Sequence, residues 1–103
     1  MNRFNSGKRY ISRGIDAELP EYLIIMLWQY IDFLKDKCQL DYLQVFKLYK
    51  EGEHGQGIEH TQEQPKPFKR RYTLFAENAP LVNAKVYVID DETHETMILA
   101  EEY

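Results

Sequence analysis

Between Pro20 and Lys37 the apolar residues Leu23, Met26, Leu27, Tyr30, Ile31 and Leu34 recur at spacings of three and four. That period predicts an α-helix with one face on a core. Pro20 suits the first turn, where an amide hydrogen would have no partner. Asp16, Glu18 and Glu21 place negative charge near the positive end of the helix dipole, and Lys35 and Lys37 place positive charge near its negative end. After the helix the pattern changes to runs rich in aromatic and branched residues. Tyr42–Tyr49 reads as a strand, closed by a flexible hairpin tip at Gly52, Gly55 and Gly57. Ile58–Gln64 reads as a weaker strand whose polarity predicts an edge position or a solvent-facing hairpin arm, broken by Pro65 and Pro67. In Phe68–Phe75, Phe68, Tyr72 and Leu74 alternate with Lys69, Arg71 and Thr73, and Arg70 intrudes on the apolar side. Ala84–Ile89 and Thr96–Leu99 form a last hairpin about the polar turn Asp90–Glu95, and Lys8–Arg13 forms a strand ahead of the helix, ended by Gly14. Strands linked in sequence by hairpin-length loops pair antiparallel. The expected architecture is α+β: one main helix on a mostly antiparallel sheet of about five to six strands, in the order strand, helix, strands.

The back of the helix departs from a plain surface. Tyr22–Ile31 holds a single polar side chain, Gln29, which is wider than the stripe a helix needs to cover a sheet. At about 100° per residue, Ile25 and Trp28 fall opposite Leu23, Leu27 and Leu34, beside Gln29 and Asp32. Ile25, Trp28, Gln29 and Asp32 are therefore the candidate partner-binding residues, with a homodimer as one form of the contact. The competing expectation is that the N-terminal arm, through Phe4, folds over Ile25 and Trp28.

Length and composition narrow the class. With 103 residues, 44% apolar and 14% aromatic, the chain suits one folded domain, residues 1–103, with 1–7 as a flexible arm. No apolar run reaches the roughly 18–20 residues needed to span a bilayer, the N-terminus lacks a signal-peptide core, and the lone Cys38 fits a reducing cytoplasm. The net charge is −4, with a balance of +2 over residues 1–50 and −6 over 51–103. Lys8, Arg9 and Arg13 form one basic group, and Lys66, Lys69, Arg70 and Arg71 another. Beside Tyr10 and Tyr72 they suit a single-stranded nucleic acid, but a nucleic-acid footprint ordinarily comes with a basic domain.

Catalytic chemistry finds little to use. Ser6 and Ser12 lie outside any nucleophile-elbow context. Cys38 follows the last helical turn, where the dipole disfavours a thiolate, and is expected to be a small, partly buried apolar side chain. His54, His60 and His94 lack the paired spacing of a zinc site, and Asp90-Asp91-Glu92-Thr93 lacks the alternation and glycine of a calcium loop. Gly52–Gly57 lacks the ending and the helix of a phosphate loop. No catalytic residue, metal ligand or cofactor is expected.

Arg9-Tyr10, Arg13-Gly14-Ile15, Leu27-Trp28, Leu40–Phe46, Gln62-Glu63-Gln64-Pro65, Val88–Asp91, Thr96-Met97 and Glu101-Glu102-Tyr103 together resemble the Firmicutes family catalogued as domain of unknown function 960. The resemblance runs from about Arg9 to Tyr103. It implies a bacterial cytoplasmic setting and a stand-alone domain, and it carries no residue roles. The expected function is a non-enzymatic cytoplasmic binding module that contacts a partner protein or a second copy through aromatic and polar surface. The alternatives are a nucleic-acid-associated protein using the basic strand residues, and a small-ligand sensor or enzyme with a pocket between helix and sheet.

Overall fold

Ser12 ends the first strand and starts a helix in the same step. Its Oγ accepts from the Ile15 amide, so a short helix α1 (Arg13–Glu18) follows strand β1 (Arg9–Ile11) directly. The acidic residues Asp16 and Glu18 thus belong to α1 and not to the approach of the main helix, α2 (Glu21–Lys35). Leu19 and Pro20 separate the two, Pro20 standing as the N-cap of α2. Five strands follow: β2 (Leu43–Glu51), β3 (Gly55–Gln62), β4 (Phe68–Phe75), β5 (Ala84–Asp90) and β6 (Glu95–Leu99), then a 3₁₀ turn at Ala100–Glu102. This computed structural model describes residues 3–75 and 77–103.

The strands form one sheet in the order β1-β6-β5-β2-β3-β4, antiparallel throughout except for the parallel pair β1–β6. The fold is α+β, and α2 covers one face. Leu23, Leu27, Ile31 and Leu34 are buried against Phe46 and Leu48 of β2, Ile58 of β3, Val86 and Val88 of β5, and Met97 and Leu99 of β6. The two flanks of α2 reach opposite edges of the sheet. Trp28 lies under the Arg9 guanidinium of β1, 4.6 Å from ring centroid to Cζ, and Tyr30 stacks on Tyr72 of β4 at 4.0 Å. Burial beneath this stack, with Tyr72 alongside, raises the Tyr30 hydroxyl to about 12.

Three sequence expectations are corrected. β3 is an inner strand between β2 and β4, and it begins at Gly55, inside the stretch expected as a flexible tip. Its polar residues Gln56, His60 and Gln62 point into the core, where side-chain amides bond one another and the loops. Cys38 is exposed, because α2 ends at Lys35 and the chain turns outward before Leu40 returns to the core. Finally, of residues 1–7, expected as an arm, 1–2 lie outside the described residues and 3–7 lie against the body: Phe4 is 1% exposed and its amide donates to Asp90 Oδ2 at 2.8 Å.

Candidate functional site

The surface proposed on the back of α2 divides into two parts. Ile25 is 47% exposed and Gln29 is exposed, but Trp28 is half-buried and packed against the core. The helical wheel places Trp28 outward because it treats the sheet as flat; a six-stranded sheet twists, and Arg9 on its edge closes over the ring. Phe4 does not serve as the cover, since it is tied instead to Asp90 and, through its carbonyl, to Lys35. Asp32 is engaged by Arg9 in a two-pronged contact and by Lys35 at 3.5 Å. The Arg9 contact holds the Asp32 carboxyl below its usual range and raises Arg9 in turn. Such bidentate pairs fix geometry, so Asp32 positions β1 against the helix.

Glu95 completes this cluster from inside. It is fully buried, accepts from Arg9 Nε at 2.9 Å, and accepts from Ser6 Oγ at 2.7 Å and the Ser6 amide at 3.2 Å. The second serine is also structural. Ser12 Oγ donates to Glu102 Oε1 at 2.6 Å, and the amides of Leu99 and Gly14 donate to the same carboxylate. The Ser12 contact leads in drawing the Glu102 carboxyl down. A Cβ on Gly14 would stand 2.7 Å from that carboxyl group and from Leu99 Cδ1, so a side chain there would have to displace them.

A neutral cluster occupies β2 and β3. Gln44 Nε2 donates to the Asp41 carbonyl at 3.0 Å and to Gln62 Oε1 at 2.9 Å, which leaves its Oε1 as the acceptor for His60 Nε2 at 2.7 Å. Gln62 Nε2 passes the chain on to the carbonyls of Lys66, at 2.9 Å, and Gln39. His60 is therefore the Nε2-protonated tautomer, stacked on Phe46 at 4.2 Å and edge-on to Phe68 at 5.1 Å. Burial, reinforced by the charge of Arg70, lowers His60 to about 3. Its Nδ1 has no hydrogen-bond partner among the described residues. Sequence reasoning missed this cluster; the signal was the i, i+2 spacing of His60 and Gln62 with Ile58 and Gln56.

The basic residues do not converge. Lys8, Arg9 and Arg13 sit at or beside β1 and Lys66, Lys69, Arg70 and Arg71 at or beside β4, the two edges of the sheet. With strands about 4.8 Å apart, the groups lie roughly 24 Å from each other. Within the second group the side chains diverge again. Lys69 and Arg71 reach Glu59 at 4.0 and 3.1 Å, whereas Arg70, on the other face, bonds the Tyr72 hydroxyl at 2.9 Å.

The face of the sheet turned away from α2 has no helix or second sheet over it among the described residues. Across it, Leu43 pairs with Ile89 and Val45 with Tyr87, Tyr87 with Ile98, and Tyr10 lies beside Thr96. Tyr103 meets Tyr87 edge-on at 5.4 Å. Further along, the face becomes charged: Lys47 pairs with Lys85 and with Glu59, and Glu59 with Arg71. Tyr49 lies flat over Gly57, where any Cβ would strike its ring. Antiparallel sheets with one open face ordinarily make that face polar; here Leu43, Val45, Tyr87, Ile89 and Ile98 make one end of it apolar.

Among the described residues, no group of three or more His, Cys, Asp or Glu side chains is placed to hold a metal ion, and no helix is long and apolar enough to cross a membrane.

No curated protein matches the chain. A solved structure does: the crystal structure of a protein of unknown function from Enterococcus faecalis, 28% identical, with a TM-score of 0.84, covering 100% of this chain and 97% of the other. The family model described as "Staphylococcal protein of unknown function (DUF960)" matches residues 8–102. That match takes in every strand, both helices and the strand residues of the uncovered face, and by it the chain belongs to this family.

Proposed function

We propose that the protein is a non-enzymatic interaction module that docks a partner protein on the uncovered face of its sheet. One observation carries this reading: Leu43, Val45, Tyr87, Ile89 and Ile98 share a sheet face that has no second layer. Tyrosine supplies large contact area with a polar tip, which suits interfaces. The rim specifies the occupant. Among the strand residues of that face, the four cations Lys47, Lys69, Arg71 and Lys85 stand beside two acids, Glu51 and Glu59, so a partner with an acidic rim around an apolar centre is favoured over a second copy of this acidic chain. The non-enzymatic part is supported by the roles of the candidate nucleophiles and bases: Ser12 caps α1, Ser6 holds Glu95, and His60 is locked to Gln44. A single exposed cysteine suits the cytoplasm of a bacterium.

A photo-crosslinking residue in place of Tyr87, and separately in place of Ile25, tests the reading in living cells. The expected result is a nuclease-resistant adduct with one protein from position 87 only, abolished when Lys47→Glu and Lys85→Glu are added. An adduct from position 25 alone, an adduct indifferent to the charge reversal, or an adduct with another copy of the chain overturns it. Nuclease-sensitive trapping would favour nucleic acid instead.

A further inference from the structure

A second surface lies on the helix side of the sheet, apart from the docking face. The C-terminal end of α2 and the β3–β4 hairpin enclose a cleft of about 550 Å³. Leu34, Pro65, Pro67 and Phe68 supply its apolar part, and three neutral side chains, among them Gln39 and Gln62, complete the wall. Its only charged side chains are Lys37, Lys66 and Arg70. In a chain of net charge −4, a cleft with three cations and no carboxylate is a local reversal of sign. None of the three pairs with a carboxylate among the described residues.

Two of these cations are held in place without being neutralised. Lys37 Nζ sits 4.4 Å from the centre of the Phe33 ring, and Arg70 donates to the Tyr72 hydroxyl. The negative end of α2, equivalent to about half a charge, works against them. It is weaker than three full charges, and the Leu34 carbonyl there already accepts from the amides of Lys37 and Cys38. The wall is also rigid where it matters. The Lys66 carbonyl is the last acceptor of the chain of hydrogen bonds that starts at buried His60, so the hairpin lip is tied into the core. Size, apolar lining and a few convergent polar groups match a small-molecule site.

We infer that this cleft binds a small organic anion: an apolar, planar body against Leu34, Pro65, Pro67 and Phe68, with its acidic group between Lys66 and Arg70.

The test uses 2-naphthoate and its uncharged analogue 2-naphthylmethanol in a nuclear magnetic resonance titration of the ¹⁵N-labelled full chain. Naphthoate is expected to shift the amides of Gln39, Gln62, Lys66, Phe68 and Arg70, with 2-naphthylmethanol at least tenfold weaker. Lys66→Gln with Arg70→Gln, both at exposed positions, is expected to weaken naphthoate at least tenfold. The matching change at the other edge, Lys8→Gln with Arg13→Gln, should leave it unaltered. Equal affinity for the two probes, shifts scattered away from the cleft, no shifts at millimolar probe, or an unchanged affinity in the cleft variant overturns the inference. Loss of the docked protein partner is a separate readout, because Tyr87 and Lys85 lie on the opposite face.

Discussion

Two buried polar clusters sit beneath the C-terminal half of α2, and they are built from opposite chemistry. Arg9 of β1, Asp32 of α2 and Glu95 of β6 form an ionic cluster that fastens the N-terminal segment through Ser6. On β2 and β3, Gln44, His60 and Gln62 form a neutral relay that fastens the hairpin lip. A buried charge costs several kcal/mol to desolvate and needs a partner of opposite sign. A buried amide costs less and needs only its donors and acceptors matched. The ionic cluster therefore sits at the edge of the sheet, where Arg9 and Asp32 keep part of their hydration. The relay lies on inner strands. Each cluster suits its depth.

Breaking the ionic cluster from its buried end has the largest expected effect. Glu95→Gln leaves Arg9 facing a neutral group and weakens the hold on Ser6. A loss of about 3 kcal/mol is expected, at the lower end for breaking a buried pair because Arg9 keeps Asp32. Urea denaturation measures it, and a loss below about 1 kcal/mol would show that charge does not anchor the N-terminal segment.

The relay is best probed by pH. His60 titrates near 3 in the folded chain and near 6.5 unfolded, so between those values the unfolded chain binds the extra proton. Its contribution to stability is complete above pH 6.5 and falls as pH drops toward 3. Between pH 6.5 and 5, one proton corresponds to a loss of about 2 kcal/mol. Denaturation midpoints across that window should fall in the wild type and flatten in His60→Gln, whatever the variant's absolute stability. An identical slope in both proteins would rule out His60 as the titrating group.

The smallest effect is expected at the exposed end of the ionic cluster. Asp32 is 43% exposed at its side chain, so Asp32→Asn should cost no more than about 1 kcal/mol and less in high salt. A cost matching that of Glu95→Gln would mean that depth does not separate the two ends.

Much of this architecture is legible in residue order. The stripe of Leu23, Leu27, Ile31 and Leu34 defines α2, and the alternation in Phe68–Leu74 and Ala84–Ile89 defines strand faces, because periods of 3.6 and 2 follow from backbone geometry alone. The polar strand β3 is where the pattern misleads. Gln56, His60 and Gln62 have the composition of an exposed hairpin, yet all three are buried. Apart from the Lys66 carbonyl four residues on, their partners are the Val82 backbone, Gln44 and the Gln39 carbonyl, segments distant in sequence that meet only in the folded chain.

The same limit applies to the surfaces. From sequence alone, Ile25 and Trp28 look equivalent; the twist of the sheet brings Arg9 over one and leaves the other exposed. Strand order has the same origin. Local pattern sets which side chains share a face of each strand, but not which strands are neighbours, because pairing depends on contacts between segments far apart in the chain. The sequence by itself therefore determined one helix, the strands and most of their faces. Only the tertiary structure decided that β3 is an inner strand, that β1 runs parallel to β6, and that the three cations of Lys37, Lys66 and Arg70 surround one cleft.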